Sequence, residues 1–275
     1  RIHCDLMPLA TETGRFAARN PNLQNCPRKT NDPIGIRAFI LAPEGHVLVS
    51  CDFSQIELRV LAHITGDEEM CRAFRDGLDI HSQTASQVFG VAPDEVTPDM
   101  RRISKAVNFG IVYGISEFSL AEDIGVSRYA AKDYIESYLA NYPGVRNYMK
   151  TVVSDAREKG YTATLYGRKR YIPELKSSNF NIRSGAERIA LNTPIQGTAA
   201  DLIKLAMIRV EEALNREFPA AKLLLQVHDE LIVECPETIA PQVAELISRE
   251  MRNVSALNVP LTADAKIGKS WYDAK

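Results

Sequence analysis

The sequence predicts an α+β fold, a β-sheet assembled from both ends of the chain that carries a helical insertion. Two observations lead there. Strand-like segments lie toward each end: "HVLVSCDF" (46–53) on one side, "LLLQVHDELIVEC" (223–235) and "VPLTADAKIG" (259–268) on the other. Between them, from about residue 80 to 160, the apolar residues fall at helical period and are interrupted by glycine and proline. A chain of 275 residues buries roughly three quarters of its unfolded surface, enough for one large domain or two subdomains. No internal repeat or low-complexity segment is visible.

In chain order, "TETGRFAARNPNLQNCP" (11–27) is polar and turn-rich, punctuated by Gly14, Pro21 and Pro27. In "HVLVSCDF" Val47, Val49 and Cys51 share one face, and Leu48, Ser50 and Asp52 the other. The following "SQIELRVLAHITG" reads as a helix with Ser54 as N-cap, Glu57 three residues on and Gly66 at its end. Breaks in the helical region are expected at 90–93, Gly114, Gly125 and Pro143-Gly144. "GYTATLYGRKRYIPEL" (160–175) reads as a basic hairpin turning at Gly167. Ser184 and Glu187 form a capping-box pattern that opens a long helix, in which Pro194 and Gly197 predict a kink or short break. Beyond the 223–235 ribbon a helix is expected over roughly 240–254, then a final extended stretch.

A hydrophobic content of 45% with 25% charge is ordinary for a globular domain. No run of about 18 apolar residues occurs, so no membrane partner is expected. The start at Arg1, with the first methionine at Met7, looks like a piece of a longer polypeptide. Five cysteines (Cys4, Cys26, Cys51, Cys71 and Cys235) form no CxxC pair. Free thiols in a reducing, cytoplasmic compartment fit them better than a disulfide framework or a zinc site. The net charge of −2 hides a division: residues 101–188 hold 15 Lys/Arg against 9 Asp/Glu, the remainder 18 against 26. A basic middle between acidic flanks suits a protein that grips a polyanion in one place and cations in another. Uneven surface decoration accounts for the charges equally well.

Chemistry-bearing residues cluster in three places. In "TPDMRRISKAVNFGIVYG" (97–114), Thr97 and Pro98 suit a helix start, and Arg101, Lys105, Phe109 and Tyr113 recur at i, i+4 steps. Two cations followed by two aromatics on one stripe fit a nucleoside triphosphate, the cations on phosphate and the rings on base and sugar. A surface helix whose aromatics pack on a neighbour has the same pattern. A second stripe, Arg188, Asn192 and Gln196, and the loop residues Asn22, Gln24 and Asn25 offer long hydrogen-bonding groups that could reach base edges in a minor groove. Taken singly, each of these also suits a surface or turn polar residue. Finally, Asp52 ends one strand, and His228, Asp229 and Glu230 sit at the tip of a ribbon where an ordinary hairpin carries Asn-Gly. Two carboxylates leaving adjacent strands at one sheet edge repel unless a cation lies between them, and Mg²⁺ needs few carboxylates when substrate phosphates complete its shell. Alternatively Asp229 and Glu230 simply favour a turn.

"DFSQIELR" around Asp52, the stripe "RRISKAVNFGIVYG" and "QVHDE" around Asp229 resemble motifs A, B and C of the family A (bacterial polymerase I type) DNA polymerases. "PNLQN" before them and "TPIQGTAADLIK" between B and C stand in the matching order, and the resemblance runs through "KSWYDAK" at the end. It implies a right-hand polymerase architecture: an antiparallel-sheet palm (1–78 and 179–275), an inserted helical fingers subdomain (79–178) and a thumb largely absent. By that resemblance the chain is a DNA-directed DNA polymerase of replication or repair that binds primer–template DNA and dNTPs, with the missing thumb part of its polypeptide as a further partner. Asp52 and Asp229, with the Phe53 carbonyl, are implied to hold two Mg²⁺ ions, and Glu230 to be a nearby, less essential acid. Arg101, Lys105 and His81 are implied to contact the triphosphate, and Lys105 to protonate the departing pyrophosphate. Phe109 is implied to stack on the incoming nucleotide and Tyr113 to lie by the templating position. Gln55 belongs to the dNTP site, and Glu57 is a steric gate against a 2′-hydroxyl. Arg15, Asn25, Arg188, Asn192, Gln196 and His228, with Asn22 and Gln24, are implied to line the primer–template. Phenylalanine rather than tyrosine at position 109 implies poorer acceptance of sugars lacking a 3′-hydroxyl. A non-catalytic nucleic-acid-binding remnant would share these residues but not extend primers; a two-metal nuclease would share the carboxylates but not need the 101–113 stripe.

Overall fold

A computed structural model of the chain describes residues 1–27 and 34–275. Its strands and α-helices run β1 (Asp5–Met7), β2 (Ala17–Arg19), β3 (His46–Phe53), α1 (Ile56–Thr65), α2 (Glu68–Arg75), α3 (Ile80–Phe89), α4 (Pro98–Val112), α5 (Glu117–Ile124), α6 (Arg128–Asn141) and α7 (Pro143–Lys159). They continue with β4 (Tyr161–Ala163), β5 (Lys169–Tyr171), α8 (Phe180–Glu217), β6 (Lys222–Val227), β7 (Glu230–Pro236), α9 (Ala240–Arg252) and β8 (Ala263–Gly268). The chain divides into two compact units, residues 1–56, 199–256 and 261–275 in one, and 57–198 with 257–260 in the other.

The first unit is organised by a four-stranded antiparallel sheet in the order β6-β7-β3-β8. The alternation in β3 is real: Val49 and Cys51 are wholly buried, while Leu48 joins a cluster with Val227, Ile232, Trp271 and Ala274. Burying each such large apolar side chain contributes roughly 1.5–3 kcal/mol. The amphipathic α9 packs on β3 and β8 through Val243, Leu246, Ile247 and Met251. A C-terminal turn folds back beside the sheet because Gly268 lacks a side chain, as a Cβ there would lie 2.4 Å from Ala274 N. That turn is tied by Trp271 N–H to Ile40 O (3.0 Å), and the Arg37 guanidinium stacks 4.0 Å from the Trp271 ring centroid.

The second unit is helical, with the short β4–β5 hairpin attached. Thr97, Ser116 and Ser127 cap α4, α5 and α6, each accepting a backbone N–H three residues on. Helix breaks fall where the glycines and prolines predict, and the β4–β5 turn contains Gly167 as expected.

Three local expectations differ. Ser54 does not open a capping box; its N–H donates to Thr262 O (2.9 Å), Gln55 adopts φ +54°, and α1 starts at Ile56. Ser184 lies inside α8 rather than at its start, because Asn179 Oδ1 already accepts the N–H groups of Asn181 (2.9 Å) and Ile182 (3.4 Å) upstream. Neither does the helix break at Pro194. Thr193, Pro194 and Ile195 are all buried, and that packing outweighs the penalty of about 3 kcal/mol for an interior proline.

Candidate functional site

At the end of the sheet, backbone pairing sets the positions of the acidic groups. Asp52 is paired with Glu230 across β3 and β7 and with Asp264 across β3 and β8. One residue further, Phe53 N–H donates to Asp229 O at 3.1 Å, so Asp52 and Asp229 sit on neighbouring positions of adjacent chain segments. Both are half-buried. The two-residue turn is His228-Asp229, and His228 itself supplies the left-handed φ of +55° that Asn-Gly usually provides. A left-handed non-glycine residue costs about 1–2 kcal/mol, and an amide ladder holds it. Gln24 Nε2 donates to Gln226 Oε1 (2.9 Å), and Gln226 Nε2 donates to His228 O. A small cavity beside the tip is lined by Arg15, Phe16, Gln24, Gln226, His228 and Asp229.

Glu230, next in sequence, has a different environment. Only 1% exposed, it accepts from Ser50 Oγ (2.6 Å) and Trp271 Nε1 (3.0 Å) on one oxygen and from Lys275 Nζ on the other. Burial pushes its carboxyl up, but Lys275, Ser50 and Trp271 outweigh that and hold it below the usual range. The acid expected to stand near the chemistry is therefore clamped into the sheet's packing. Trp271 and Lys275 stand in "KSWYDAK" but were assigned no role from sequence; the chain's single tryptophan close to the last lysine was the available signal.

Asp52, Asp229 and the Phe53 carbonyl are hard oxygen donors, the kind that suit Mg²⁺. Among the described residues no three His, Cys, Asp or Glu side chains gather as a ready-made metal cage. This sparse donor set fits an ion that completes its shell with substrate oxygens and water.

In the helical unit, side chains rather than backbone set the geometry. Arg101 and Lys105 are exposed on α4, and Arg101 Nε donates to Asp79 Oδ2 at 2.6 Å. Burial alone would raise Asp79, but Arg101, Ser82 and the His81 N–H hold it down at about 2. His81, 3% exposed on α3, has its ring centroid 5.7 Å from that of Phe109. Desolvation, with Arg101 and Lys105 nearby and Asp79 opposing, lowers its pKa to about 4, so the imidazole is neutral at pH 7. Tyr113 OH donates to Glu57 Oε2 at 2.8 Å, fixing a glutamate that is 5% exposed. A cavity of about 400 Å³ includes Phe109, Tyr113, Gly114 and Arg188 in its lining. Gly114, at φ +65°, is needed there because a Cβ would come within 3.1 Å of Arg188 Cγ and Leu191 Cδ1. Asp79 and Asn108 were missed by the sequence reading, although Asp79 stands in the N-cap position before "IHSQ".

The second stripe is less uniform: Arg188 is exposed, Gln196 half-buried, and Asn192 keeps a buried Oδ1 with no hydrogen-bond partner. In the early loop Arg15 is half-buried and Asn25 exposed. Asn22 Oδ1 accepts from Gln24 N–H (3.1 Å), and the buried Gln24 is bonded to Gln226. Asn22 and Gln24 thus support the loop and the hairpin tip. Among the described residues no helix is long and apolar enough to cross a membrane.

Comparison with known proteins places this geometry in context. Residues 1–273 match the family described as DNA polymerase family A. The DNA polymerase I of Caldicellulosiruptor bescii is 50% identical over 275 residues, covering 100% of this chain and 32% of that protein. The DNA polymerase I of Bacillus subtilis is 50% identical over 276 residues, covering 100% and 31%. The chain thus spans about a third of the length of the curated relatives it matches. Among solved structures, the POL domain of Pol1 from M. smegmatis, in complex with DNA primer-template and dNTP, superposes with a TM-score of 0.94 at 44% identity, covering 100% of this chain and 48% of that one.

Proposed function

This chain belongs to DNA polymerase family A, and from that membership we propose that it performs template-directed DNA synthesis, adding deoxynucleotides to a primer 3′-hydroxyl with release of pyrophosphate. One observation supports the reading most: Asp52 and Asp229, far apart in sequence, are brought to neighbouring positions by the Phe53 N–H to Asp229 O bond. In this proposal residues 1–78 and 179–275 act as palm and 79–178 as fingers, and primer–template DNA and dNTPs are the partners. The remainder of a longer polypeptide supplies further grip on the duplex.

Asp52 and Asp229, with the Phe53 carbonyl, would hold two Mg²⁺ ions. When bound, these ions supply positive charge to the phosphates and make the primer hydroxyl a better nucleophile. The chain's own residues do the rest by positioning and charge. Arg101 and Lys105 take the triphosphate, His81 adds a neutral donor, and Lys105 gives a proton to the departing pyrophosphate. Phe109 stacks on the nucleotide, Tyr113 lies by the templating position, Gln55 lines the dNTP site, and Glu57, fixed by Tyr113, excludes a 2′-hydroxyl. Arg15, Asn25, Arg188, Asn192, Gln196 and His228 lie along the primer–template. Asn22 and Gln24 act on DNA only through the loop and turn they support. Glu230 serves by holding the turn that carries Asp229.

The test is direct. Incubated with primer–template, dNTPs and Mg²⁺, the protein should lengthen the primer, and Asp52→Ala/Asp229→Ala should bind the duplex without extending it. Extension by the double variant overturns the metal assignment. DNA degradation without nucleotides would instead identify a nuclease.

A further inference from the structure

The α3–α4 pair contains a buried polar chain that the proposed reaction leaves unexplained. Asn108, on α4, is 0% exposed and yet fully polar, and burying such an amide costs about 1–3 kcal/mol unless it is hydrogen-bonded. Its Nδ2 lies 3.2 Å from His81 Nδ1 and 3.1 Å from Thr84 Oγ1; its Oδ1 lies 3.3 Å from the same hydroxyl. Thr84, also 0% exposed, reaches Tyr142 OH at 3.2 Å. Both amide hydrogens of Asn108 therefore have an acceptor, one of them a ring nitrogen.

We propose that Asn108 is a positioning residue that holds the His81 imidazole with its proton on Nε2, so that His81 presents an N–H donor to an oxyanion of a bound polyphosphate. The argument is one of proton count. A neutral imidazole has one N–H and one lone pair. The amide N–H of Asn108 occupies the lone pair of Nδ1, so the ring proton resides on Nε2. Were the proton on Nδ1, two donors would face each other across 3.2 Å and Nε2 would present a lone pair, which repels phosphate oxygen. Burial, with Arg101 and Lys105 nearby, keeps the ring neutral, so its tautomer rather than its charge decides what it offers. Thr84 and Tyr142 fix the Asn108 amide from behind. The donor's target rests on the polymerase reading; the tautomer does not.

The two are separated by one set of variants. In ¹⁵N-labelled protein without nucleotide, long-range proton–nitrogen correlation should show His81, identified by loss of its signals in His81→Gln, protonated on Nε2. Asn108→Asp replaces the donor with an acceptor and should move the proton to Nδ1. Thr84→Val, which leaves Asn108 in place but unsupported, should yield a mixture of both forms. A wild-type ring protonated on Nδ1, or an Asn108→Asp ring with no proton on Nδ1, overturns the proposal. With the tautomer inverted, Asn108→Asp should raise the KM for dNTP about tenfold, the size of a hydrogen bond to a charged group, with a smaller effect on kcat. An unchanged KM beside an inverted tautomer overturns the donor role. If the wild-type tautomer is as proposed but His81→Gln leaves the dNTP KM unchanged, the contact drawn from the polymerase reading is what fails.

Discussion

At the sheet's end Asp52 and Asp229 are placed by backbone: a β3–β7 register and one N–H bond put them on adjacent segments, and the Gln24–Gln226 ladder keeps the turn in shape. On α3 and α4 the placement is by side chain, with Arg101 paired to Asp79 and His81 held by Asn108. A register cannot shift by one residue without reversing every face of the strand, whereas an exposed ion pair such as Arg101–Asp79 can open at little cost. The difference teaches that two groups of like charge need a backbone framework to hold them together against repulsion, whereas the Arg101–Asp79 pair is drawn together by its own charges.

The largest expected effect tests the rigid half. Asp52→Ala or Asp229→Ala should each lower the rate of primer extension by at least about a thousandfold, ~4 kcal/mol of barrier, while duplex affinity changes little; single-turnover extension and an equilibrium binding assay separate the two.

Next in size is stability, where the two halves should diverge. Glu230→Leu leaves Lys275 without its partner and removes the acceptor for Ser50 and Trp271, and breaking a buried pair costs about 3–5 kcal/mol. Asp79→Ala opens a half-exposed pair and removes the N-cap of α3, so a smaller loss of about 1–2 kcal/mol is expected. Urea unfolding of both variants makes the comparison, and equal losses would contradict the contrast.

Titration sharpens it further. His81 is at about 4 in the fold against 6.5 for a free histidine, so the unfolded chain binds the extra proton between those values. Stability should therefore fall as pH drops from 6.5 to 4, and His81→Gln should flatten that limb. Asp79, at about 2 against 3.8, adds a second loss from pH 3.8 downward, which Asp79→Asn should remove.

Smallest is the Glu57–Tyr113 hydrogen bond. Its loss in Tyr113→Phe should cost about 1 kcal/mol of stability and slightly relax sugar selection. Glu57→Ala should relax it strongly, read as ribonucleotide incorporation; unchanged selectivity in Glu57→Ala would remove the gate role.

Much of the fold was legible because it is written in local periodicity. The alternation of 46–53, the ribbon at 223–235 and the helix breaks at Gly90, Gly114, Gly125 and Pro143 all follow from spacing and backbone chemistry. The failures came where a local signal met a stronger neighbour. Ser54 lies one residue short of the cap position because Gln55 turns left-handed and α1 starts at Ile56, Ser184 is inside its helix because Asn179 caps first, and Pro194 did not break a helix buried around it. Within the candidate site, residue types and i, i+4 spacing pointed to Arg101, Lys105, Phe109 and Tyr113. They could not tell that Gln24 would brace Gln226, or that Asn108 would face His81, since those contacts join segments that nothing in the local pattern relates.

By itself, then, the sequence determined the α+β class, the order of strands and helices, and the family to which its motifs belong, all properties carried by short-range pattern and residue identity. Only the tertiary structure decided that Asp229 stays half-buried at a turn while its neighbour Glu230 is closed in by Ser50, Trp271 and Lys275. Two adjacent acids look alike along a chain, and they become different only when a distant segment, here the C-terminal turn, covers one and not the other.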